Sequence, residues 1–390
     1  MNNALAGVRV VDMTHALAGP SATRLLADLG ADVVKVENPD GGDFTRSGHP
    51  YVFQSFNRDK RSLALDVKQV EGLELVRRLV AGADVFVHSQ RPGTVERMGL
   101  GRDDLRAVNP DLIYASFAGF GFTGLNSQRR AVDAIVQAES GLAALQGAVL
   151  GNASFVDEAA GLSLAYAVLA AIIKRDRTGE VDDIEVNLFD TALYLQSAPI
   201  AEFSVTGKMH EQADYARRFA TVGVFDAADG PLFLAAYFER DWEVLCDVFD
   251  RPDLAKDERF ATAESRLAHV EVVHDELRRQ LGRRPRAEWL EVLEARRVMV
   301  GVFRRYEDLV TAEQVEANRT LEQLRTTAGT DVTFPRPPYR FSSRELNDSR
   351  PSPALGVDTD DVLRELGLDD EELARLRAAH VIGASEGSGS

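Results

Sequence analysis

The sequence predicts an α/β protein built on a parallel sheet, followed by a smaller α+β domain. Two observations carry this prediction. Over the first 200 residues, short apolar runs alternate with stretches of helical periodicity, which is typical of α/β folds. The first three elements, a strand at 8–13, a helix at 21–29 and a strand at 31–37, form a βαβ unit, and parallel strands need such a crossover. Near residue 200 the alternation stops, and short strands and amphipathic helices follow.

The remaining elements follow from local signals. Ser21 is the expected N-cap of the first helix and Gly30 its C-cap. Five prolines between residues 333 and 353 indicate a connecting arm, and the final GASEGSGS a flexible tail. The other predicted helices lie at 70–81, 101–108, 131–144, from 159, 242–249, 265–281, 286–295 and 359–379, and the other strands at 83–88, 112–117, 223–225 and 232–236.

The end of the α/β alternation near residue 200 and the proline-rich stretch after residue 333 set the predicted domain limits. Residues 1–200 form the large α/β domain and residues 201–330 the smaller α+β domain with its linkers. Residues 331–383 form a C-terminal arm and helix, and residues 384–390 the tail.

Composition and charge exclude several classes of protein. The 390 residues carry a net charge of −17, so neither nucleic acid nor an anionic membrane surface is an expected partner. The most apolar uncharged run, 159–173, is shorter than the roughly 20 residues of a membrane helix. The first residues lack a secretory signal, and Cys246 alone can form neither an internal disulfide nor a cysteine metal cluster. A cytoplasmic location is the expectation.

Glycine and histidine patterns predict neither a dinucleotide site nor a metal site. Residues 119–124 match G-x-G-x-x-G after a predicted strand, but residues 125–130 separate the motif from the next helix. A dinucleotide site needs helix amides that point at the pyrophosphate, so a turn or a glycine loop beside a pocket is the better interpretation. The seven histidines are scattered, and His269 and His274 lie five residues apart, which does not suit one helix face.

One carboxylate and a set of cations are candidates for chemistry. Asp157 lies at or near the start of the apolar helix, where free amides and the helix dipole stabilise a carboxylate, although a simple helix cap is commonplace. Basic residues occur in or beside predicted loops, several after strand ends, where open α/β sheets bind ligands. The set suits a phosphate-bearing ligand, while each residue alone is typical of a solvated surface. It comprises Arg46, Arg58, Lys60, Arg61, Lys68, Arg91, Arg97, Arg129 and Arg130.

Five stretches occur in a characteristic order along the chain. They are LAGVRVVD at 5–12 with the loop at 18–20, LGADVVKVE at 29–37, NRDKRSLALD at 57–66, RPGTVERMGL at 91–100, and DAIVQAESG at 133–141 leading to Asp157. The ordered set resembles the family III CoA-transferases, which include formyl-CoA transferase, carnitine CoA-transferase and α-methylacyl-CoA racemase. The likeness covers nearly the whole chain.

The resemblance implies a fold. It implies a Rossmann-like large domain that the N-terminal part and the returning C-terminus form together, a smaller inserted domain, and an interlocked homodimer.

The resemblance also implies a reaction. CoA would pass from an acyl-CoA donor to a carboxylic acid acceptor through a covalent aspartyl anhydride and an aspartyl-CoA thioester on Asp157, which matches the family's catalytic carboxylate. CoA is then part of the substrate, with no tightly bound cofactor or metal, and the helix N-terminus beside Asp157 would donate to developing oxyanions. The matching CoA contacts are Leu17, Ala18, Leu65, Asp66, Val67, Lys68, Ser89, Gln90, Arg91, Arg97 and Arg130.

Departures from the family pattern reduce the number of reactions expected for this chain. Leu17 stands where formyl-CoA transferase has glutamine, which disfavours formyl and oxalate chemistry. Val132 stands where the racemases have histidine, and racemisation needs acid–base groups on both faces of the α-carbon. An acyl-CoA isomerase is thus the disfavoured alternative, and a non-catalytic CoA-binding protein is a third. Asp133 is expected to cap the helix that it opens. A dicarboxylic acceptor would need an arginine in the pocket, for which the candidates are Arg129, Arg217 and Arg218.

Overall fold

The N-terminal part of the molecule is organised around a six-stranded parallel sheet. The structure is a computed structural model that describes residues 4–209, 219–342 and 349–383. The strands are β1 (Arg9–Met13), β2 (Asp32–Glu37), β3 (Arg61–Ala64), β4 (Val85–His88), β5 (Ile113–Ala118) and β6 (Asp183–Asn187). Their order is β3-β2-β1-β4-β5-β6, and every neighbouring pair is parallel. The α/β fold with a parallel sheet is confirmed, and the direction of winding reverses between β1 and β4.

Helices cover the sheet because its strands bury apolar side chains on both faces. The helices of this part are α1 (Ala18–Asp28), α2 (Thr45–Gly48), α3 (Pro50–Phe56), α4 (Val70–Ala81), α5 (Thr94–Arg97), α6 (Arg102–Arg106), α7 (Asp133–Glu139), α8 (Phe155–Thr178) and α9 (Leu188–Leu195). Successive strand residues face opposite sides, so Val10 joins the core under α1 and α8 while Val11 joins the core under α4. Both valines are almost fully buried.

Helix α1 begins earlier than the sequence predicts and ends where it predicts. Its N-cap is Leu17, and Ser21 lies within the helix and donates its amide to the Leu17 carbonyl at 2.7 Å. The expectation that Ser21 is the N-cap is therefore wrong, because Pro20 is tolerated in a first turn, whose amides have no helical acceptor. Gly30 has a φ of 101° and terminates the helix with an amide bond to the Ala27 carbonyl.

The chain divides into two compact units, and the second has its own core. The first unit comprises the described residues of 1–143, 150–197 and 317–390, and the second those of 144–149 and 198–316. An antiparallel sheet in the order β7-β8-β9 packs against helices around Trp242, Leu245 and Trp289. Its elements are β7 (Val222–Ala227), β8 (Gly230–Ala235), β9 (Met299–Val302), α10 (Ser197–Thr206, which begins in the first unit), α11 (Glu239–Val248), α12 (Ala263–Ala268), α13 (Val270–Leu281), α14 (Arg286–Ala295), α15 (Tyr306–Leu309) and α16 (Glu313–Ala317).

The C-terminal residues return to the first unit. They form the hairpin β10 (Leu321–Arg325) and β11 (Asp331–Pro335) and the helices α17 (Thr359–Glu365) and α18 (Asp370–Ala378). Residues 317–330, which the sequence places with the smaller domain, group with the first unit, where Glu322 on β10 accepts a hydrogen bond from buried Arg58. Leu363 and Leu376 enter the same core as Val11.

Helix α8 is long and apolar enough, by length and composition, to cross a membrane. Its packing is nevertheless that of a core helix. Eight of its residues are buried, among them Val156, Leu164 and Val168, which belong to the core between the sheet and α1. The fifteen-residue apolar run at 159–173 lies within this helix.

Candidate active site

Asp157 lies in the first turn of α8. The residue before the helix, Ser154, has a φ of 47° and makes no capping bond with its side chain. Burial and, to a smaller extent, the nearby carboxylates of Asp133 and Glu158 together raise the pKa of the Asp157 carboxyl to about 7. The sequence therefore located Asp157 correctly at the start of the helix, and the structure gives it the environment of a carboxyl group that gains a proton near neutral pH.

Asp133 caps α8 from another helix. Its Oδ2 accepts hydrogen bonds from the amides of Val156 at 2.8 Å and Asp157 at 3.0 Å. The expectation that Asp133 caps the helix it opens is wrong, because α7 has Val132 at its N-cap and no side-chain capping bond. The amides of Val156 and Asp157 are consequently occupied, and the expectation that the helix N-terminus donates to an oxyanion stays a prediction.

A close helix crossing places the first turn of α1, which follows the β1–α1 loop, beside the first two turns of α8. At Gly161, one turn after Asp157, an added Cβ would lie 2.9 Å from the Ala18 carbonyl oxygen, so only glycine fits there. Nearby, the Ser21 hydroxyl donates to the Glu158 carboxylate at 3.2 Å. The predicted contacts Leu17 and Ala18 are thereby brought to the same end of the molecule as Asp157.

Three side chains hold the backbone of the β1–α1 loop by accepting hydrogen bonds from three successive amides. The amides of Thr14, His15 and Ala16 donate to Asp12 at 2.9 Å, Ser89 at 2.9 Å and Asp43 at 3.2 Å, respectively. Ala16 has a φ of 69°, a conformation that costs a non-glycine residue about 1–2 kcal/mol. The loop is therefore held in a fixed shape by its surroundings.

Two of these acceptors, Asp12 and Asp43, belong to buried ion pairs: Lys60 pairs with Asp12 at 3.1 Å and Lys35 with Asp43 at 3.4 Å. Burial opposes ionisation of Asp12, but Lys60 and Lys35 outweigh it and lower its pKa. Burial lowers the pKa of Lys60 to about 8. Sequence analysis missed Lys35 and Asp43, whose only signal is a charge within or just after an apolar strand.

The predicted CoA contacts follow the carboxyl ends of the strands, which share one edge of a parallel sheet. Leu17 and Ala18 follow β1, residues 65–68 follow β3, residues 89–91 follow β4, and Arg130 lies in the segment after β5. The Ser89–His15 hydrogen bond joins the loops after β1 and β4, between which the winding reverses. Open α/β sheets bind ligands at such a switch point, and Leu17, Ala18 and residues 89–91 follow the two strands that flank it.

The predicted CoA contacts differ in which of their groups a ligand could bind. Leu65 is fully buried in the core and bridges Ile382, so it has only its backbone for a ligand. The Asp66 carboxylate accepts the amide of Lys68 at 3.0 Å, and Val67 packs on the core. The Gln90 amide donates to buried His88 at 3.2 Å.

The structure divides the basic residues into two groups. Arg46 pairs with Glu37, Arg58 with Glu322, Lys60 with Asp12, Arg61 with Asp32 and Glu365, and Arg129 with Glu139. Four exposed residues form no ion pair within residues 4–209, 219–342 and 349–383, namely Lys68, Arg91, Arg97 and Arg130. These four are the basic residues among the predicted CoA contacts. Arg129 is engaged by its glutamate, and Arg217 and Arg218 lie outside the described residues.

Two further points concern the site's chemistry. Among the described residues, no group of three or more His, Cys, Asp or Glu side chains could hold a metal ion. The glycine motif at 119–124 forms a loop after β5 and opens no helix, since α7 begins only at Asp133.

A sequence model of the CoA-transferase family III matches residues 5–359. The chain belongs to the CoA-transferase family III. It is 32% identical to the succinyl-CoA:glutarate CoA-transferase of Mus musculus, over 97% of this chain and 90% of that protein. It is 35% identical to a probable fatty acyl-CoA transferase of Mycobacterium tuberculosis, over 90% of this chain and 95% of that protein. A CaiB/BaiF family protein from Brucella suis has a similar structure, with a TM-score of 0.85, 32% identity, and coverage of 94% and 100%.

Proposed function

We propose that this CoA-transferase moves CoA from an acyl-CoA donor to a carboxylic acid acceptor, with Asp157 as the nucleophile. The observation that carries the proposal is the placement of Asp157 in the first turn of α8, one turn before the contact of Gly161 with Ala18 at the start of α1. The β1–α1 loop and the loop after β4 flank the switch point of the sheet, where a CoA ester would lie.

The first half of the reaction loads CoA onto the enzyme. An ionised Asp157 oxygen attacks the thioester carbonyl, a C–O bond forms, the C–S bond breaks, and CoA leaves as a thiolate. The thiolate then attacks the Asp157 carbonyl carbon of the mixed anhydride and expels the donor's carboxylate. The product is an aspartyl-CoA thioester, and no net proton is exchanged.

The second half reverses these steps with the acceptor. The acceptor carboxylate attacks the aspartyl thioester and expels CoA thiolate, which then attacks the acceptor's own carbonyl carbon. The C–O bond to Asp157 breaks, and the carboxylate is restored. The anhydride hydrolyses if water reaches it, and the partial burial of Asp157 favours transfer over hydrolysis.

For the acceptor, we propose a short dicarboxylic acid. The support is the glutarate in the name of the mouse relative, and the fatty acyl group in the name of the M. tuberculosis relative points the other way. Arg129 is poorly placed to bind the second carboxylate of the acceptor, because its guanidinium already donates to the two carboxylate oxygens of Glu139 at 2.8 and 2.5 Å. A dicarboxylate would have to displace that glutamate.

We also propose that the active protein is a homodimer. Helix α8 exposes Leu162, Tyr166 and Ile173, of which the first two are one turn apart, and α9 exposes Tyr194 and Leu195. Large apolar side chains on adjacent helices mark a surface that another protein covers. Light scattering on the purified protein tests this, and a monomeric mass at micromolar concentration would refute it.

Trapping the intermediate tests the reaction. The protein is incubated with a panel of acyl-CoAs, quenched with hydroxylamine and digested, and the peptides are analysed by mass spectrometry. We expect an aspartyl hydroxamate at Asp157 with at least one donor and none in Asp157→Ala. Asp176→Ala, which removes an exposed carboxylate of the same helix, is the control and should be labelled like the wild type. Turnover of a donor–acceptor pair without any label at Asp157 would refute the covalent route.

A further inference from the structure

Gln137 is a fully buried glutamine on α7, one turn after Asp133. Residues four apart lie on the same face of a helix, so both side chains point to the same neighbours. Burying an amide side chain is unfavourable unless each of its polar atoms is hydrogen-bonded. The arrangement around Gln137 therefore shows what the residue holds in place.

The side-chain amide of Gln137 bonds both Asp133 and the segment that leads into α8. Its Nε2 donates to Asp133 Oδ1 and to the Gly151 carbonyl at 3.1 Å, and its Oε1 accepts the Gly151 amide at 2.8 Å. The other oxygen of Asp133 accepts the amides of Val156 and Asp157. One glutamine and one aspartate thus bind the backbone before α8 and the first amides of α8.

This network has one favourable orientation. If the Gln137 amide were reversed, its oxygen would face the Asp133 carboxylate and its NH₂ group would face the Gly151 amide, and both contacts would be repulsive. Gln137 therefore also fixes the rotamer of Asp133, because it occupies one carboxylate oxygen and leaves the other for α8. Gly151 cannot carry a side chain, since an added Cβ would lie 2.2 Å from the Phe155 ring.

The path of the chain explains why the hydrogen bonds of Gln137 and Asp133 to this segment are useful. Residues 144–149 group with the second compact unit, and the chain rejoins the first unit at residue 150. Gly151 is held immediately afterwards, only six residues before Asp157. Helix α8 has no side-chain cap of its own at Ser154. Displacements of 144–149 would reach Asp157 directly if Gly151 were not bound.

We propose that Gln137 is a positioning residue that holds Gly151 and Asp133 so that Asp157 keeps its place for attack on the thioester. The proposal rests on the proposed function. A carboxylate displaced by about 1 Å from its attack position can lose up to 100-fold in rate. Within the part of the chain that the structure describes, Gln137 makes no hydrogen bond to a predicted CoA-binding residue, so its loss should act on the chemical step.

The test compares two buried glutamines in the full-length protein. Gln137→Met keeps the length of the side chain and removes its hydrogen bonds. Gln196→Met is the control, because Gln196 is also buried and donates to two backbone carbonyls, those of Ser140 and Ala192, and makes no hydrogen bond to the described residues 150–157. We expect kcat to fall about tenfold or more in Gln137→Met, with KM for the acyl-CoA changed by less than about threefold. In Gln196→Met, kcat should stay within about threefold of the wild type.

Hydrogen exchange gives a readout that does not depend on activity. Exchange of the peptide 150–157 should accelerate in Gln137→Met and not in Gln196→Met. If Gln137→Met does not fold, Gln137→Asn, which is too short to reach both partners, replaces it. Unchanged kcat and unchanged exchange, or equal losses of kcat in both variants, would overturn the proposal. If the wild type turns over no donor–acceptor pair, the proposed function fails. The exchange comparison still decides whether the hydrogen bonds of Gln137 hold residues 150–157 in place.

Discussion

Asp157→Asn is expected to abolish turnover and yet stabilise the fold above neutral pH. The wild-type carboxyl titrates near pH 7 in the folded protein, against 3.8 for an unperturbed aspartate, chiefly because it is buried. Holding it ionised therefore opposes folding. At about 1.4 kcal/mol for each pKa unit, the unscreened cost approaches about 4 kcal/mol. Asp157 is partly exposed, so we expect solvent to reduce this to about 1–2 kcal/mol.

The sign of the pH dependence follows from proton binding. Between pH 4 and pH 7 the folded protein keeps a proton on Asp157 that the unfolded chain has lost. Wild-type stability from this group therefore falls as the pH rises through that window and is constant above it. Asparagine carries no charge at either end, so the variant's advantage in free energy of unfolding should grow by about 1 kcal/mol between pH 5.5 and pH 8.5.

The measurement must report on the unit that contains Asp157. Both tryptophans, Trp242 and Trp289, lie in the second unit, so tryptophan fluorescence would report on the wrong part of the molecule. Urea-dependent hydrogen exchange of the α8 amides gives the free energy directly. Asp176→Asn, at an exposed position of the same helix beside Arg175, is the control. Its difference from the wild type in free energy of unfolding should be the same at pH 5.5 and pH 8.5. An advantage of Asp157→Asn that is absent at pH 8.5, or equal at both pH values, would refute the argument from burial.

Three further changes test the surroundings of the site. Asp133→Asn should shift the acidic limb of kcat/KM to lower pH, because it removes a negative charge that raises the pKa of Asp157; an unmoved limb would contradict that. Arg97→Ala should raise KM for the acyl-CoA about tenfold, as expected for a lost bond to a charged group, whereas Arg102→Ala, whose guanidinium pairs with Asp183, should not; equal effects would refute the assignment. Gly161→Ala should cost about 1–3 kcal/mol of stability through overlap with the Ala18 carbonyl, and an unchanged melting temperature would show that the crossing is looser.

Much of the fold could be predicted because its signals are local. The predicted helices 70–81 and 286–295 coincide with α4 and α14, and each carries its periodicity and ends within its own sequence. The prediction omits strand β6, although Asp183 and Glu185 alternate with Ile184 and Val186 in the pattern of a half-buried strand at the edge of the sheet. The predicted helix 265–281 is two helices, α12 and α13, separated at His269.

The contacts of the site depend on distant residues, and one sequence does not reveal those. Asp133 and Asp157 are 24 positions apart, and the segment between them crosses into the second unit, so nothing local indicates that one caps the helix of the other. Arg58 is 264 positions from Glu322, and its pairing removes it from the candidate phosphate ligands. The local pattern made Asp157 a candidate, and the family resemblance supplied its catalytic role and the CoA contacts, all of which remain predictions. The structure supplied the partners that distinguish exposed cations from paired ones.

The capping by Asp133 also bears on why Asp157 can react. A carboxylate that accepted the first amides of α8 would be stabilised as an anion and would be a weaker nucleophile. Here those amides donate to Asp133 instead, and Asp157 keeps a raised pKa beside a second negative charge. The Val156 and Asp157 amides are therefore already engaged, and α1 offers further donors for the thioester oxyanion. The amides of Ala18 and Gly19 at the start of α1 donate to no acceptor within the described residues, and Ala18 contacts the helix of Asp157 at Gly161. We therefore expect α8 to present the nucleophile and α1 to receive the developing charge.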